Sequence, residues 1–244
     1  MSTLQLPCVQ HLNSLSKSTG RPIVLASASP RRKDILDKLN LSHKIIPSTF
    51  PETLDHSAFG DAAAYALTNA SEKAKDVYRT LSASSGSSDE PRPLLIISAD
   101  TVVVTLDTHP PTRSASSQQT FTILEKPRDA DHHRAMLKKL SGRSHAVVTG
   151  VTLLIPSNSP SGKDSFRLRS FQSTTVVHFA KLPDPWIDAY VESGDGSDKA
   201  GGYGYQSLGL FLATSIEGCA YNVAGFPAHD FVVKLDQIIK DGEL

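Results

Sequence analysis

The run "LLIISADTVVV", residues 94–104, is apolar at odd and even positions alike. A strand with one solvated face alternates, whereas one apolar on both faces is covered on both, so this run predicts a strand central to a sheet. Its apolar character is broken once, at Ala99-Asp100. A carboxylate in a core strand must be paired, bind a metal or shift its pKa. Two readings of Asp100 follow: a structural acid satisfied by backbone amides or Thr101, or a metal ligand or general base at the sheet's edge, where α/β sites lie.

Upstream, "PIVLAS" (22–27) reads as a buried strand. It leads into a helix, "PRRKDILDKLN" (30–40), with Pro30 at its first turn and Asn40 as a stop. "HKIIPS" (43–48) is a short strand, and the Ala-rich 58–81 stretch is a long helix with an apolar stripe. Downstream come a strand in "FTILEKP" (121–127), a helix over 129–140 capped by Asp129, and adjacent strands in 144–155 and 171–180. Helices over 184–193 and 226–239 flank a Gly-rich loop, "DGSDKAGGYGYQSLG" (195–209). Alternating elements with a strand-rich middle predict an α/β fold with some antiparallel pairs. Residues 1–20 read as a disordered tail and 21–244 as one domain, interrupted by Ser/Pro-rich insertions near 82–93, 107–120 and 156–165.

The 244 residues are 39% hydrophobic, with 25 basic against 25 acidic side chains. That balance argues against broad binding to nucleic acid or a membrane surface, so any cationic chemistry is concentrated at a site. Two cysteines without metal-type spacing fit a reducing cytosol. The first twenty residues lack the charged start and apolar core of a secretory signal, and no stretch is long enough to span a membrane.

Arg31, Arg32 and Lys33 crowd the start of the first core helix, where the helix dipole disfavours cations. An anion bound by helix N–H groups, by Ser27 and Ser29 and by the guanidiniums would resolve the conflict. A solvated helix start is the plain alternative. Glu52, Lys73 and Lys126 are ordinary surface residues when taken singly. Gln206, in a loop whose glycines allow close backbone approach, carries an amide able to read a base edge. Neither a P-loop nor an HExxH pattern is present.

Taken together, "LASASPRRKDIL", "SADTVVV", "LEKPRDADHHRAMLKKLSGRSHAVVTGV", "SDKAGGYGYQSLG" and "NVAGFP" resemble the motifs of the Maf family, in family order from about residue 22 to 240. The resemblance implies hydrolysis of a nucleoside triphosphate to the monophosphate and pyrophosphate. It implies an elongated mixed β-sheet flanked by helices, Maf/ITPase-like, with two lobes around a nucleotide cleft, a divalent cation (Mg²⁺ or Mn²⁺), and often a homodimer. Asp100 matches the family's proton acceptor, and Arg31, Thr101 and Gln206 match positions associated with substrate choice. Ser27, Arg32, Lys73 and Lys126 match other substrate-binding positions, and Glu52 a metal-site acid beside Asp100. "SPRR", Asp100-Thr101 and "YGYQ" resemble the dTTP/UTP branch rather than the 7-methyl-GTP branch. Tyr205 and Ser207 depart from the usual aliphatic residue and glycine around Gln206. A nucleotide-binding regulator without turnover is the rival of a different class.

Overall fold

A computed structural model describes residues 4–84, 91–106, 121–157 and 165–244. In chain order the elements are α1 (Pro7–Thr19), β1 (Ile23–Leu25), α2 (Pro30–Lys38), β2 (Lys44–Ile45) and α3 (Ala62–Ser84). Then come β3 (Leu95–Leu106), β4 (Phe121–Leu124), α4 (Ala130–Leu140), β5 (Ser144–Pro156) and β6 (Phe166–Phe179). The chain closes with α5 (Asp184–Glu192), β7 (Ala213–Glu217), α6 (Ala220–Val223) and α7 (Ala228–Lys240). The expected insertion at 107–120 and most of that at 156–165 lie outside the described residues, while α3 runs into the first residues of the one near 82–93.

The seven strands form one mixed sheet in the order β2-β1-β3-β5-β6-β7, with β4 also on β3. β1 pairs in parallel with β2 and β3, and the other pairs are antiparallel. β3 is central as its sequence predicts, and β5 beside it is buried along nearly its whole length. On β3, Leu95, Ile97 and Ala99 face a core completed by α1, α2 and α7, while Ile96 packs beneath α3 with Ala74, Val77 and Tyr78. Farther along, Val103 packs with α4 and α5, and Val102 and Val104 pack with the start of α3. The long strands thus thread two lobes, with Asp100 and Thr101 at the join.

α3 presents small residues to the sheet: Ala66, Ala70 and Ala74, four apart, are each 0% exposed. Opposite them is Gly150, which pairs with Asp100 across the β3–β5 ladder. A Cβ on Gly150 would lie 2.6 Å from the backbone carbon of Ala66. Only glycine lets the helix come this close, and that approach carries Lys73 down to the level of Asp100.

The disordered tail expected over residues 1–20 is corrected: Pro7–Thr19 is helical, with Cys8, Val9 and Leu12 buried in the core cluster that includes α7. One turn-spaced apolar stripe is too little to hold an isolated 13-residue helix; tertiary packing supplies the rest.

Candidate active site

Because β5 pairs continuously with β3 from Ile96 to Thr105, β1 and β4 must share the opposite edge. β1 takes Leu95–Ile97 and β4 takes Val103–Leu106. The last bond before the gap is Ala26 N–H to the Ile97 carbonyl at 2.8 Å. Over residues 98–102 that edge has no strand partner among the described residues. Asp100 and Thr101 sit in this opening, a crevice at a change of strand order, where α/β sheets bind ligands. Because side chains alternate along a strand, Asp100 faces α3 and Thr101 the opposite side.

Asp100 is 6% exposed. Its Oδ1 accepts from Lys73 Nζ at 2.7 Å, and the same ammonium lies 2.9 Å from Glu52 Oε1. Two carboxylates therefore converge on one buried cation. Burial pushes the Glu52 carboxyl up, but Lys73, Lys126 and Arg32 outweigh it and hold the group below the usual glutamate range. The segment carrying Glu52 is fixed at both ends. Ser48 Oγ and Thr49 N–H donate to Asp76 Oδ2 at 2.7 and 2.8 Å, while His56 and the Tyr65 hydroxyl meet Glu125 Oε1 at 2.9 and 3.0 Å.

α2 begins after Ser29, with Pro30 in its first turn and no acid there, and ends where Asn40 adopts φ 59°. Its two arginines act differently. Arg32 spends all three guanidinium nitrogens on neutral oxygens: Nε on the Gly225 carbonyl at 3.0 Å, Nη1 on Ser27 Oγ at 3.0 Å, and Nη2 on Thr101 Oγ1 at 3.2 Å. Burial pulls its pKa below the ordinary arginine value, against the pull of Asp100 and Glu52. Arg32 thus ties α2, β3 and the turn after α6 into one wall. Behind it, Thr101 Oγ1 meets Thr149 Oγ1 at 3.0 Å, and Asn222 Nδ2 donates to the Val147 carbonyl and Thr175 Oγ1, each at 3.0 Å. Arg31 instead reaches across the cleft, with Nη1 3.8 Å from Asp198 Oδ2.

The cleft encloses about 350 Å³, and Ser27, Arg31, Arg32, Glu52, Lys73, Asp100, Thr101, Lys126 and Gln206 all line it. The structure therefore brings these nine residues, each singled out in the sequence, to one cavity. Lys126 and Gln206 are exposed, and Tyr203, Gly204 and Tyr205 complete the Gly-rich wall. Tyr203 is backed by His145, whose Nε2 is 2.8 Å from its hydroxyl. Nδ1 of His145 is buried without a partner among the described residues. His145 itself is 0% exposed at the start of β5.

Asp100 and Glu52 offer hard oxygen donors, and each carboxylate keeps one oxygen that makes no bond to Lys73. Such a pair fits Mg²⁺ or Mn²⁺ when phosphate oxygens complete the shell. Among the described residues no group of three or more His, Cys, Asp or Glu could hold a metal unaided. Sequence reasoning missed Gly150, Thr149 and Asn222, whose roles depend on contacts between distant segments. It also missed Asp195, which a search for acids near the glycines could have found.

A family model described as Maf-like protein matches residues 22–238. A dTTP/UTP pyrophosphatase from Schizosaccharomyces pombe is 34% identical, covering 91% of this chain and 85% of that protein. A dTTP/UTP pyrophosphatase from Ruminiclostridium cellulolyticum is 38% identical, covering 85% of this chain and 91% of that one. A probable bifunctional dTTP/UTP pyrophosphatase/methyltransferase protein of Homo sapiens is 38% identical over 91% of this chain, which spans 32% of the human protein's length. On the family match and the extent of these alignments, the chain belongs to the Maf family.

Proposed function

We propose that this chain is a nucleoside triphosphate pyrophosphatase that hydrolyses dTTP and UTP to the monophosphate and pyrophosphate. The observation that carries the reading is the buried Lys73–Asp100 pair opening into the same cleft as the cationic start of α2. The names of the pyrimidine-nucleotide relatives support the substrate class. The inactive-regulator alternative is not favoured, since Asp100, Glu52, Lys73 and Lys126 all line one cavity. The 7-methyl-GTP alternative is not favoured, since the relatives are named for dTTP and UTP and "SPRR", Asp100-Thr101 and "YGYQ" resemble that branch.

In this reading Arg31, Lys126 and the N–H groups at the start of α2 hold the triphosphate, while Ser27, fixed by Arg32, shapes that end of the cleft. Asp100 orients a water and takes its proton as the water oxygen attacks the α phosphorus. The bond from the α phosphorus to the bridging oxygen breaks, and pyrophosphate leaves with the electron pair. Lys73 orients the Asp100 carboxylate through its hydrogen bond to Oδ1 and, with Lys126, offsets charge on the departing group. A divalent cation held by Asp100 and Glu52 would supply electrostatic stabilisation of the phosphate oxygens. Gln206 and Tyr205 meet the base. The finer proposals are a cytosolic location and a homodimeric state. Among the described residues no helix is long and apolar enough to cross a membrane.

The test is product analysis over UTP, dTTP, CTP, GTP and 7-methyl-GTP with Mg²⁺ or Mn²⁺. Pyrophosphate from the pyrimidine nucleotides, absent in Asp100→Asn, supports the reading. Binding without turnover across the whole panel replaces it with the regulator.

A further inference from the structure

The Gln206 side chain is exposed, lines the cleft and makes no hydrogen bond of its own among the described residues. Its direction must come from the backbone on either side. Both sides lead to one acid. Tyr190 Oη donates to Asp195 Oδ2 at 2.8 Å and accepts the Gly204 N–H at 3.0 Å. Ser207 Oγ donates to the same Asp195 oxygen at 2.6 Å. Lys199 Nζ, 3.0 Å from Oδ1, neutralises the carboxylate, and the Asp195 and Lys199 side chains are only 12% and 14% exposed.

We infer that Asp195 is a positioning residue that fixes the heading of Gln206, and with it the base selectivity, by holding Gly204 through Tyr190 on one side and Ser207 on the other. The inference rests on the reading of Gln206 as the base-facing residue. Packing agrees with the hydrogen bonds: a Cβ on Gly204 would lie 2.1 Å from Ser207 Oγ, so the loop closes tightly on this cluster. Burial pushes the Asp195 carboxyl up, but Ser207, Tyr190 and Lys199 hold it down at about 2, so it stays ionised and a strong acceptor. The network also reaches the facing wall. Lys199 Nζ lies 2.7 Å from Asp198 Oδ1, and Asp198 Oδ2 faces Arg31. The serine that departs from the family's usual glycine after Gln206 thus gains a purpose, because its hydroxyl adds a second tether to Asp195.

Tyr190→Phe keeps the ring and removes both bonds of the hydroxyl, Ser207→Ala removes only the tether, and Ser207→Thr restores it. Affinities for α,β-methylene analogues of UTP and GTP are measured by calorimetry for each folded variant, alongside turnover of the natural nucleotides. The UTP-to-GTP preference should fall roughly tenfold in Tyr190→Phe and Ser207→Ala through weaker UTP binding, with kcat little changed and Ser207→Thr close to wild type. Unchanged ratios in both variants overturn the inference. Wild-type protein that binds UTP selectively without hydrolysing it overturns the pyrophosphatase reading instead, and the affinity ratios then still decide the role of Asp195.

Discussion

Lys73 Nζ lies 2.7 Å from Asp100 Oδ1, and both side chains are 8% exposed. Breaking such a pair leaves a buried charge without its partner, which costs more than removing both charges. Lys73→Met should therefore destabilise the protein by about 3 kcal/mol, moderated by solvent access through the cleft. Adding Asp100→Asn to it should recover part of that loss. Urea unfolding of the single and double variants measures the coupling, and strictly additive effects would show that the pair is not an energetic unit.

Gly150→Ala tests how the site is assembled. The added methyl meets α3 backbone at 2.6 Å rather than a yielding side chain. We expect a loss of about 1–3 kcal/mol and a fall in kcat as α3 lifts Lys73 from Asp100. Wild-type melting temperature and kcat in this variant would refute the close-approach argument.

Arg32→Lys should fail although charge is conserved. An ammonium cannot reach Gly225, Ser27 and Thr101 together as the fork does. Losing two such bonds, at about 1.5 kcal/mol each, should raise KM for UTP at least tenfold. Kinetics indistinguishable from wild type would mean that the wall needs only charge.

The pH dependence of stability should carry a signature of His145. Burial, then the neighbouring His178, pull its imidazole down to about 4, against 6.5 in an unperturbed chain. Between these values the unfolded chain binds the extra proton. The stability is thus fully present above pH 6.5, falls as pH drops, and stops falling below about 4. The contribution is at most about 3 kcal/mol. His145→Gln should flatten this part of the stability profile, and an identical slope in the variant would contradict the assignment.

Chelation is a simpler test of the two-carboxylate donor set. EDTA should abolish turnover, and Mg²⁺ or Mn²⁺ should restore it; full activity in EDTA would exclude a divalent requirement.

What could be read from the sequence follows from where each signal resides. β3, the long α3, the β5–β6 pair and the Asp129 cap are local patterns, and the structure has them, with the Asp129 side chain accepting from the His132 N–H. α1 depends on packing in the cluster it shares with α7, so its polar sequence reads as a tail. β7 is a five-residue edge strand with little burial, and no run of apolar residues announces it. At the site, Asp100 stands out alone because a charge interrupts an apolar run. Glu52 and Lys126 do not, since their meeting with Lys73 and Asp100 is made by loops and strand ends far apart in the chain. The Arg32 fork is invisible without the fold, because its partners are a backbone carbonyl and two hydroxyls from distant segments.

The most direct measurement is a single turnover of UTP in H₂¹⁸O, with both products read by mass spectrometry. Attack of the Asp100-oriented water at the α phosphorus predicts one ¹⁸O in UMP and none in pyrophosphate. Label in pyrophosphate, or release of orthophosphate as the first product, would contradict the account.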